Sequence, residues 1–462
     1  RSQYRGNMKI LLIDSNVATS PYPVYPLGMS MVAGALADAG HEVAQFDFLQ
    51  NDKSFERLRT EINRENPAIV GISMRNIDNV NLMNEQRYIG VVKDIVDEVR
   101  SLTDARIVLG GTAFSLLPED ILRHLGADFG IVGEGEKLMV ELADKIENGS
   151  EPADPVLRSE QHLPGGKMHK ALYEGRIMEW YLSNGSLANV QTKRGCPHKC
   201  VYCSYPALEG RKIRPRDVKD TVDDIECLVG KHAVRMIFFT DSIFNDEEGH
   251  YITLLQEMER RNLSVPWTAY IKPGPIEKSV FDLMLKTGVR GVELGSDGAT
   301  DRTLKGLGKS FSFRDIIECN RKFADFGIAT ANFFMFGGPG ETPDTVTEGI
   351  DNIIGLKNTV SFMFIGIRIL PGTALKTLAE KQNRIDPGQS LLEPVYYIAP
   401  GIDKTWLEAT MEQGFKPFRH CVFPPDTYDK SVKFLHKLGH KGLMWDMLIP
   451  GRSRAERRAA SS

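Results

Sequence analysis

The feature that most constrains this chain is an alternation. Short, nearly all-apolar runs ending on Asp, Ser or Gly are separated by longer amphipathic stretches. The first run, 9–13, ends at Asp14, and a Pro/Tyr-rich loop over 21–26 follows. Further strand-like runs at 41–46, 68–73, 106–109 and 129–132 are spaced by helix-like 27–40, 55–65, 85–102 and a helix opening at Glu136. Continuous apolar runs suit strands buried on both faces, and their alternation with helices predicts a Rossmann-like, doubly wound parallel sheet over 8–150. Ligands of such sheets lie beyond the carboxyl ends of the strands. Here those ends carry Ser73, Arg75 and Asn76, then Gly110-Gly111-Thr112, then Gly133-Glu134-Gly135-Glu136. Glycines there let the backbone approach a large flat or phosphorylated ligand.

Residues 151–185 are polar and broken by Pro and Gly, the composition of a linker. A second alternation then begins, with strands expected at 187–192, 235–240, 267–271, 291–297, 329–336 and 362–370. Six strand–helix units over 186–385 predict an α/β partial (β/α)6 barrel, open on one side. Barrels of this kind carry their chemistry at the carboxyl ends of the strands. Directly after the first strand comes Cys196-Pro197-His198-Lys199-Cys200-Val201-Tyr202-Cys203, three of the chain's six cysteines within eight residues. Clustered thiols hold a soft metal centre at low entropic cost. A [4Fe–4S] cluster usually takes four thiolates, so three would leave one iron open. The competing reading is a Cys3His zinc site using His198, although His198 is only two residues from Cys196. Cys227, Cys319 and Cys421 are scattered singly and read as small buried hydrophobes. Gly308-Lys309-Ser310 is no phosphate loop, because position 303 is Thr.

At 462 residues with 42% apolar content, the chain is long enough for several cores, and a net charge of −4 gives no pull toward nucleic acid or anionic membrane. No apolar run approaches membrane-spanning length, and residues 1–7 lack the apolar stretch of a signal peptide. With few cysteines, the expectation is a reducing, cytoplasmic setting. Residues 386–462 mix aromatic and Pro-rich pieces with a helix-like 428–438 and a basic tail over 452–458. They read as a small, mainly helical C-terminal domain closing the open side of the barrel.

The C-x3-C-x2-C loop, with aromatic Tyr202 before its last cysteine, resembles the signature of the radical S-adenosylmethionine (SAM) enzymes. The upstream glycine-bearing sheet resembles the cobalamin-binding domain that precedes many of them. The resemblance implies a [4Fe–4S] cluster on Cys196, Cys200 and Cys203, whose open iron chelates SAM. It assigns SAM contacts to Tyr202, Asp241, Ser242, Ser296, Asp297, to Gly337 and Gly338 of the Gly337-Gly338-Pro339-Gly340-Glu341-Thr342 turn, and to Ile369. It assigns cobalamin contacts to Ser73, Arg75, Asn76, Gly110, Gly111, Thr112, Gly133 and Glu134. Two departures stand out: Asp297 replaces the family's usual Glu, and Asp241-Ser242 replaces a Gly-Gly-Glu type motif. The chain also lacks the Asp-x-His-x-x-Gly motif of cobalamin mutases, so cobalamin is expected to bind His-off, over the loop of Arg75.

The implied activity is transfer of a methyl group from methylcobalamin to an unactivated carbon of a small natural-product or lipid-like molecule. A flavodoxin or ferredoxin would supply electrons. Cyclisation or rearrangement without net methylation, an RNA-modifying radical SAM enzyme, and a zinc or corrinoid-binding module are the alternatives. RNA-modifying relatives usually add N-terminal cysteines, and this chain has none before Cys196. The substrate pocket is expected between the two domains and the C-terminal segment, with Tyr270, Arg368 and Tyr396 as candidate contacts.

Overall fold

The computed structural model describes residues 8–428 except 21 and 186, together with 432, 435 and 442–450. The first half alternates β1 (Lys9–Asp14), α1 (Leu27–Asp38), β2 (Glu42–Asp47), α2 (Phe55–Glu65), β3 (Ile69–Ser73), α3 (Ile89–Leu102), β4 (Arg106–Gly110), α4 (Thr112–Leu116), α5 (Pro118–Leu125), β5 (Phe129–Val132) and α6 (Gly135–Glu147). A short β6 (Val156–Arg158) completes a six-stranded, all-parallel sheet of order β2-β1-β3-β4-β5-β6. The order reverses between β1 and β3, and that switch point opens the crevice at Asp14 and Ser73.

Alternate residues of each strand feed opposite layers, as the two-residue period of a strand requires. Leu11, Ile13, Val70 and Ile72 pack on α2 and α3 through Leu58, Ile62, Val92 and Ile95. Ile10, Leu12, Ile69 and Val108 pack on α1 and α6 through Met29, Leu36, Met139 and Leu142. Local signals set the helix ends: the Ser54 hydroxyl accepts the Arg57 N–H at 3.3 Å to start α2, and left-handed Asn66 ends it.

The expected linker 151–185 is corrected by the structure. Its 156–158 segment is a strand of the first sheet, and α7 (Gly175–Asn184) buries Ile177, Met178 and Tyr181 in one core that runs from the first domain into the barrel. Each fully buried apolar side chain such as Met178 contributes roughly 2 kcal/mol. Tyr181 also donates to Asp47 at 2.7 Å.

The second half contains β7 (Ala188–Val190), a two-stranded β8 (Lys193–Arg194) and β9 (Arg214–Pro215) pair around α8 (Tyr205–Leu208), then α9 (Val218–His232) and β10 (Ile237–Phe239). It continues through α10 (His250–Arg260), β11 (Trp267–Ile271), α11 (Lys278–Thr287), β12 (Gly291–Asp297), α12 (Asp301–Gly306), α13 (Phe313–Asp325), β13 (Ala329–Phe336), α14 (Pro343–Gly355) and β14 (Thr359–Ile365). Beyond these lie β15 (Ile367–Arg368), α15 (Ala374–Lys381), β16 (Tyr396–Tyr397), α16 (Lys404–Phe415) and β17 (Cys421–Val422). Strands β7, β10, β11, β12, β13 and β14 form a parallel half-barrel in chain order, the six units expected. The C-terminal segment contributes α16 and then rejoins this sheet, because β17 pairs in parallel with β14. Trp445 and Met444 pack against Ala329, Ala331 and Val360.

Most of the helix expected over 428–438, and all of the basic run 452–458, lie outside the described residues. Cys319 and Cys421 are buried as expected, whereas Cys227 is exposed on α9, a correction to the sequence reading. Among the described residues, no helix is long and apolar enough to cross a membrane.

Candidate active site

The crevice of the first sheet faces the mouth of the barrel and encloses a cavity of about 340 Å³. Seven of the eight residues expected to contact cobalamin line it: Ser73, Arg75, Gly110, Gly111, Thr112, Gly133 and Glu134. Asn76 does not. The barrel contributes Asn189, Gln191, Arg194, Tyr205 and Glu209 to the same wall.

The glycine loops are tied together by a residue that sequence reasoning missed. Ser115 donates to the Gly111 carbonyl at 2.8 Å and accepts the Gly133 N–H at 2.8 Å. Gly111 has φ +92°, and a Cβ there would lie 2.6 Å from the Met74 carbonyl oxygen, so only glycine lets these loops close up. At the switch point, Asp14 is 2% exposed and its Oδ2 has no hydrogen-bond partner among the described residues. Burial, with Asp47 nearby, drives its carboxyl well above the ordinary range. A buried acceptor opening on a cavity calls for ligand donors. The peripheral amides of a corrin are such donors, so the crevice fits cobalamin.

Glu134 has a different use from the one expected. Its carboxylate meets Arg194 at 3.1 Å and Arg214 at 2.8 Å and accepts the Leu163 N–H at 2.6 Å, so most of its acceptor sites are taken within the chain. Glu136 takes the other arm of Arg194 at 2.6 Å. Burial alone would raise Glu136, but Arg194 more than offsets it and holds the carboxyl below its usual value. The two carboxylates therefore grip the residue two places before Cys196.

The cysteine loop is fastened on every side. Cys196 N–H donates to Gly210 at 3.0 Å, Val201 N–H to Leu307 at 3.0 Å, and Leu375 N–H to Val201 at 2.8 Å. Burial pushes the Cys196 thiol up and the Cys203 thiol to about 12, and neighbouring cysteines push both the same way. Thiols that resist ionisation side by side become thiolates only with a compensating cation beside them. Among the described residues, no three His, Cys, Asp or Glu side chains converge as a single ion would require. A four-iron cluster differs in spreading its thiolates over separate irons. The electrostatic neighbours of His198 are Lys272, Glu247 and Lys309. The donor set therefore fits the cluster better than a Cys3His zinc site.

Beside the thiols, the Tyr202 hydroxyl donates to Asp297 at 2.5 Å, and Lys309 pairs with Asp297 and reaches the Gly295 carbonyl at 3.3 Å. Burial works against the charge of Lys309, yet Asp297 and the thiols of Cys200 and Cys203 hold its ammonium above the ordinary value. Lys309 was visible in the sequence only as part of a rejected phosphate loop. Ser242 donates to the Gly195 carbonyl at 3.2 Å and so supports the loop.

Three residues expected to contact SAM are already engaged within the chain. Asp241 is fully buried, and its carboxylate accepts from Thr192 N–H and Oγ1, both at 2.6 Å, while Lys193 Nζ lies at 3.3 Å. It locks β7 to β10 and has no free face for a ligand. Ser296 falls on the helix side of β12, where it donates to Asn332 at 2.6 Å, because adjacent strand residues point to opposite faces. The Ile369 backbone is occupied on both sides, its N–H by Val395 and its carbonyl by Arg368, each at 2.8 Å. Gly337 and Gly338 stand in a self-closed turn: Gly337 N–H donates to Glu341 at 3.2 Å, and Gly338 accepts Glu341 N–H at 3.1 Å.

Of the substrate candidates, Arg368 is buried and bound to Asp78 at 2.8 Å and to the Leu391 carbonyl at 2.6 Å, and Tyr396 stands beside it in the β15–β16 pair. Arg368 belongs to a latch between the domains. Tyr270 alone faces the space inside the barrel, with Arg75, Tyr205 and Glu293 as electrostatic neighbours.

Comparison with known proteins agrees with this division of labour. The B12 binding domain family matches residues 13–143, and the Radical SAM superfamily matches residues 190–353. The structure of TsrM, a radical SAM methyltransferase from Kitasatospora setae with cobalamin and a [4Fe–4S] cluster bound, superposes with a TM-score of 0.84 at 25% identity, covering 98% of this chain and 99% of that one. The chain belongs to the cobalamin-dependent radical SAM enzymes and is methyltransferase-like. This radical SAM enzyme is 26% identical over 442 residues to the tryptophan 2-C-methyltransferase of Streptomyces laurentii, covering 78% of the chain and 73% of that relative. It is also 25% identical over 368 residues to the anaerobic magnesium-protoporphyrin IX monomethyl ester cyclase of Rubrivivax gelatinosus, covering 74% and 64%. OxsB, a cobalamin-dependent SAM radical enzyme, shares the fold at a TM-score of 0.70 and 14% identity.

Proposed function

We propose that this enzyme transfers a methyl group to an unactivated carbon of a small molecule held between the glycine crevice and the cysteine loop. The observation that carries the reading is that crevice and loop are joined through Arg194, which lines the crevice, binds carboxylates on it and directly precedes the cysteine loop in sequence. When bound, cobalamin supplies a methyl carrier, and the cluster with SAM supplies one-electron cleavage that yields a carbon radical.

The chain's own groups set the conditions. Asp14 offers an acceptor to the corrin periphery, and Gly110, Gly111 and Gly133 give room for its close approach. No histidine lines the crevice among the described residues, which supports His-off binding. Arg75 has no ion-pair partner among the described residues and offers its positive charge at the cavity wall. Cys196, Cys200 and Cys203 would hold the cluster, and Lys309 would lower the cost of their charge. The enclosing domains exclude water and hold the reactants together. The similarity to a tryptophan 2-C-methyltransferase, and to a TsrM structure with tryptophan and a SAM analogue bound, favours an aromatic amino acid or similar small molecule as substrate. A reduced flavodoxin or ferredoxin is the natural electron source.

Anaerobic reconstitution tests this. About four irons per chain and one corrinoid are expected, with S-adenosylhomocysteine and a product one carbon heavier than its substrate. Cys196→Ala should abolish SAM cleavage. Turnover that leaves the product with no added carbon would favour the cyclase-type alternative.

A further inference from the structure

Strand β12 turns Val292 and Leu294 out to the helices and Glu293 into the barrel. Glu293 is 6% exposed, and its one hydrogen bond among the described residues is a long one, from Trp445 Nε1 at 3.3 Å. It has no cationic partner among the described residues. In the parallel register it lies beside Tyr270 on one side and Ala331 on the other. Tyr270 keeps 41% of its surface accessible, yet burial drives its phenol far up. Paired in register, Tyr270 and Glu293 project from the same face of the sheet, and Tyr270 leaves accessible space there. Tyr22 of the first domain is an electrostatic neighbour of both Glu293 and Tyr270, its phenol driven up first by burial and next by Glu293.

We propose that Glu293, with Tyr22, Tyr270 and Trp445 around it, is the recognition end of the substrate space and selects a flat ring system that carries an N–H donor. The proposal rests on the methyl-transfer reading and names the substrate class for it. Aromatic walls favour a flat ring through stacked and edge contacts. A buried carboxylate with a single long donor is under-satisfied, and a ligand N–H completes it. Burial also lifts the Glu293 carboxyl to about 7, the mark of a group left without enough donors. A ring of the same shape with oxygen in place of N–H would set lone pair against lone pair, a mismatch that a site built around a hydrogen bond rejects strongly.

The test is binding of indole and of its oxygen isostere benzofuran to the reconstituted holoenzyme, without SAM, by titration calorimetry. Indole should bind about tenfold tighter or more. That preference should grow as pH rises through about 7, where Glu293 gains its charge. Glu293→Gln, an isosteric change, should keep part of the preference and lose its pH dependence, and Glu293→Leu should leave the two probes equal. Equal binding of both probes by the wild type, no binding of either, or an unchanged pH-dependent preference in Glu293→Gln would overturn the proposal. Formation of S-adenosylhomocysteine reads the methyl-transfer step separately, so failure of one is distinguishable from failure of the other.

Discussion

Arg194 and Glu136 meet at 2.6 Å across the joint between the two sheets, both nearly buried, and Cys196 follows two residues after the arginine. Glu134 completes the clamp at 3.1 Å. The Arg194 guanidinium, helped by Arg214 on Glu134, thus ties the cysteine loop to the glycine crevice. Arg194→Met leaves two buried carboxylates without this partner and should cost about 3–5 kcal/mol in denaturant unfolding. Iron content per folded chain should fall as well.

Arg368 and Asp78 form the second tie, at 2.8 Å and 290 residues apart in sequence. Asp78→Ala should be strongly destabilising, by about 3–5 kcal/mol, because Arg368 is left buried and unpaired. The double change Asp78→Leu with Arg368→Met should cost less than the two single changes added together. A double-mutant cycle measures the difference.

Gly195 has φ +96°, and a Cβ at that position would overlap the Lys212 carbonyl oxygen. Gly195→Ala must shift the strand that launches the cysteine loop. The variant should retain its far-ultraviolet circular dichroism while binding well under half the iron of the wild type, as measured by iron assay after reconstitution.

Lys309 sits near the thiols of Cys200 and Cys203. Removing a positive charge disfavours adding an electron, so Lys309→Gln should lower the cluster's midpoint potential by on the order of tens of millivolts. Spectroelectrochemical titration checks the direction.

Stability should also depend on pH. Burial raises Glu293 and Glu341 to about 7, although hydrogen bonds from Trp445 to the first, and from Thr345 and Gly337 to the second, pull the other way. Unfolded, both ionise near 4.5. Between those values the folded chain binds more protons than the unfolded one, so stability falls as pH rises from about 4.5 to about 7. Glu293→Gln and Glu341→Gln should each flatten that slope in urea unfolding of the apoprotein.

The strand–helix alternation was legible in the sequence because both periods are local. The 55–65 helix and the runs 129–132, 267–271, 291–297 and 329–336 fall where the residues place them. The cysteine loop was legible for the same reason: its three thiols belong to a single turn of chain. The carboxyl-end glycines pointed to the cavity because strand ends and crevice coincide in a parallel sheet.

Tertiary structure decided what each polar group does once there. Asp241, Ser296, Glu134 and Arg368 have the residue types of ligand contacts, but each is consumed by a partner 36 to 290 residues away. Lys309 and Glu293 gained their roles the same way, from surroundings assembled out of distant segments. Periodicity carries backbone conformation and burial, which depend on near neighbours. Whether a buried charge is already satisfied or still open to a ligand depends on the folded chain around it, and no local spacing records that.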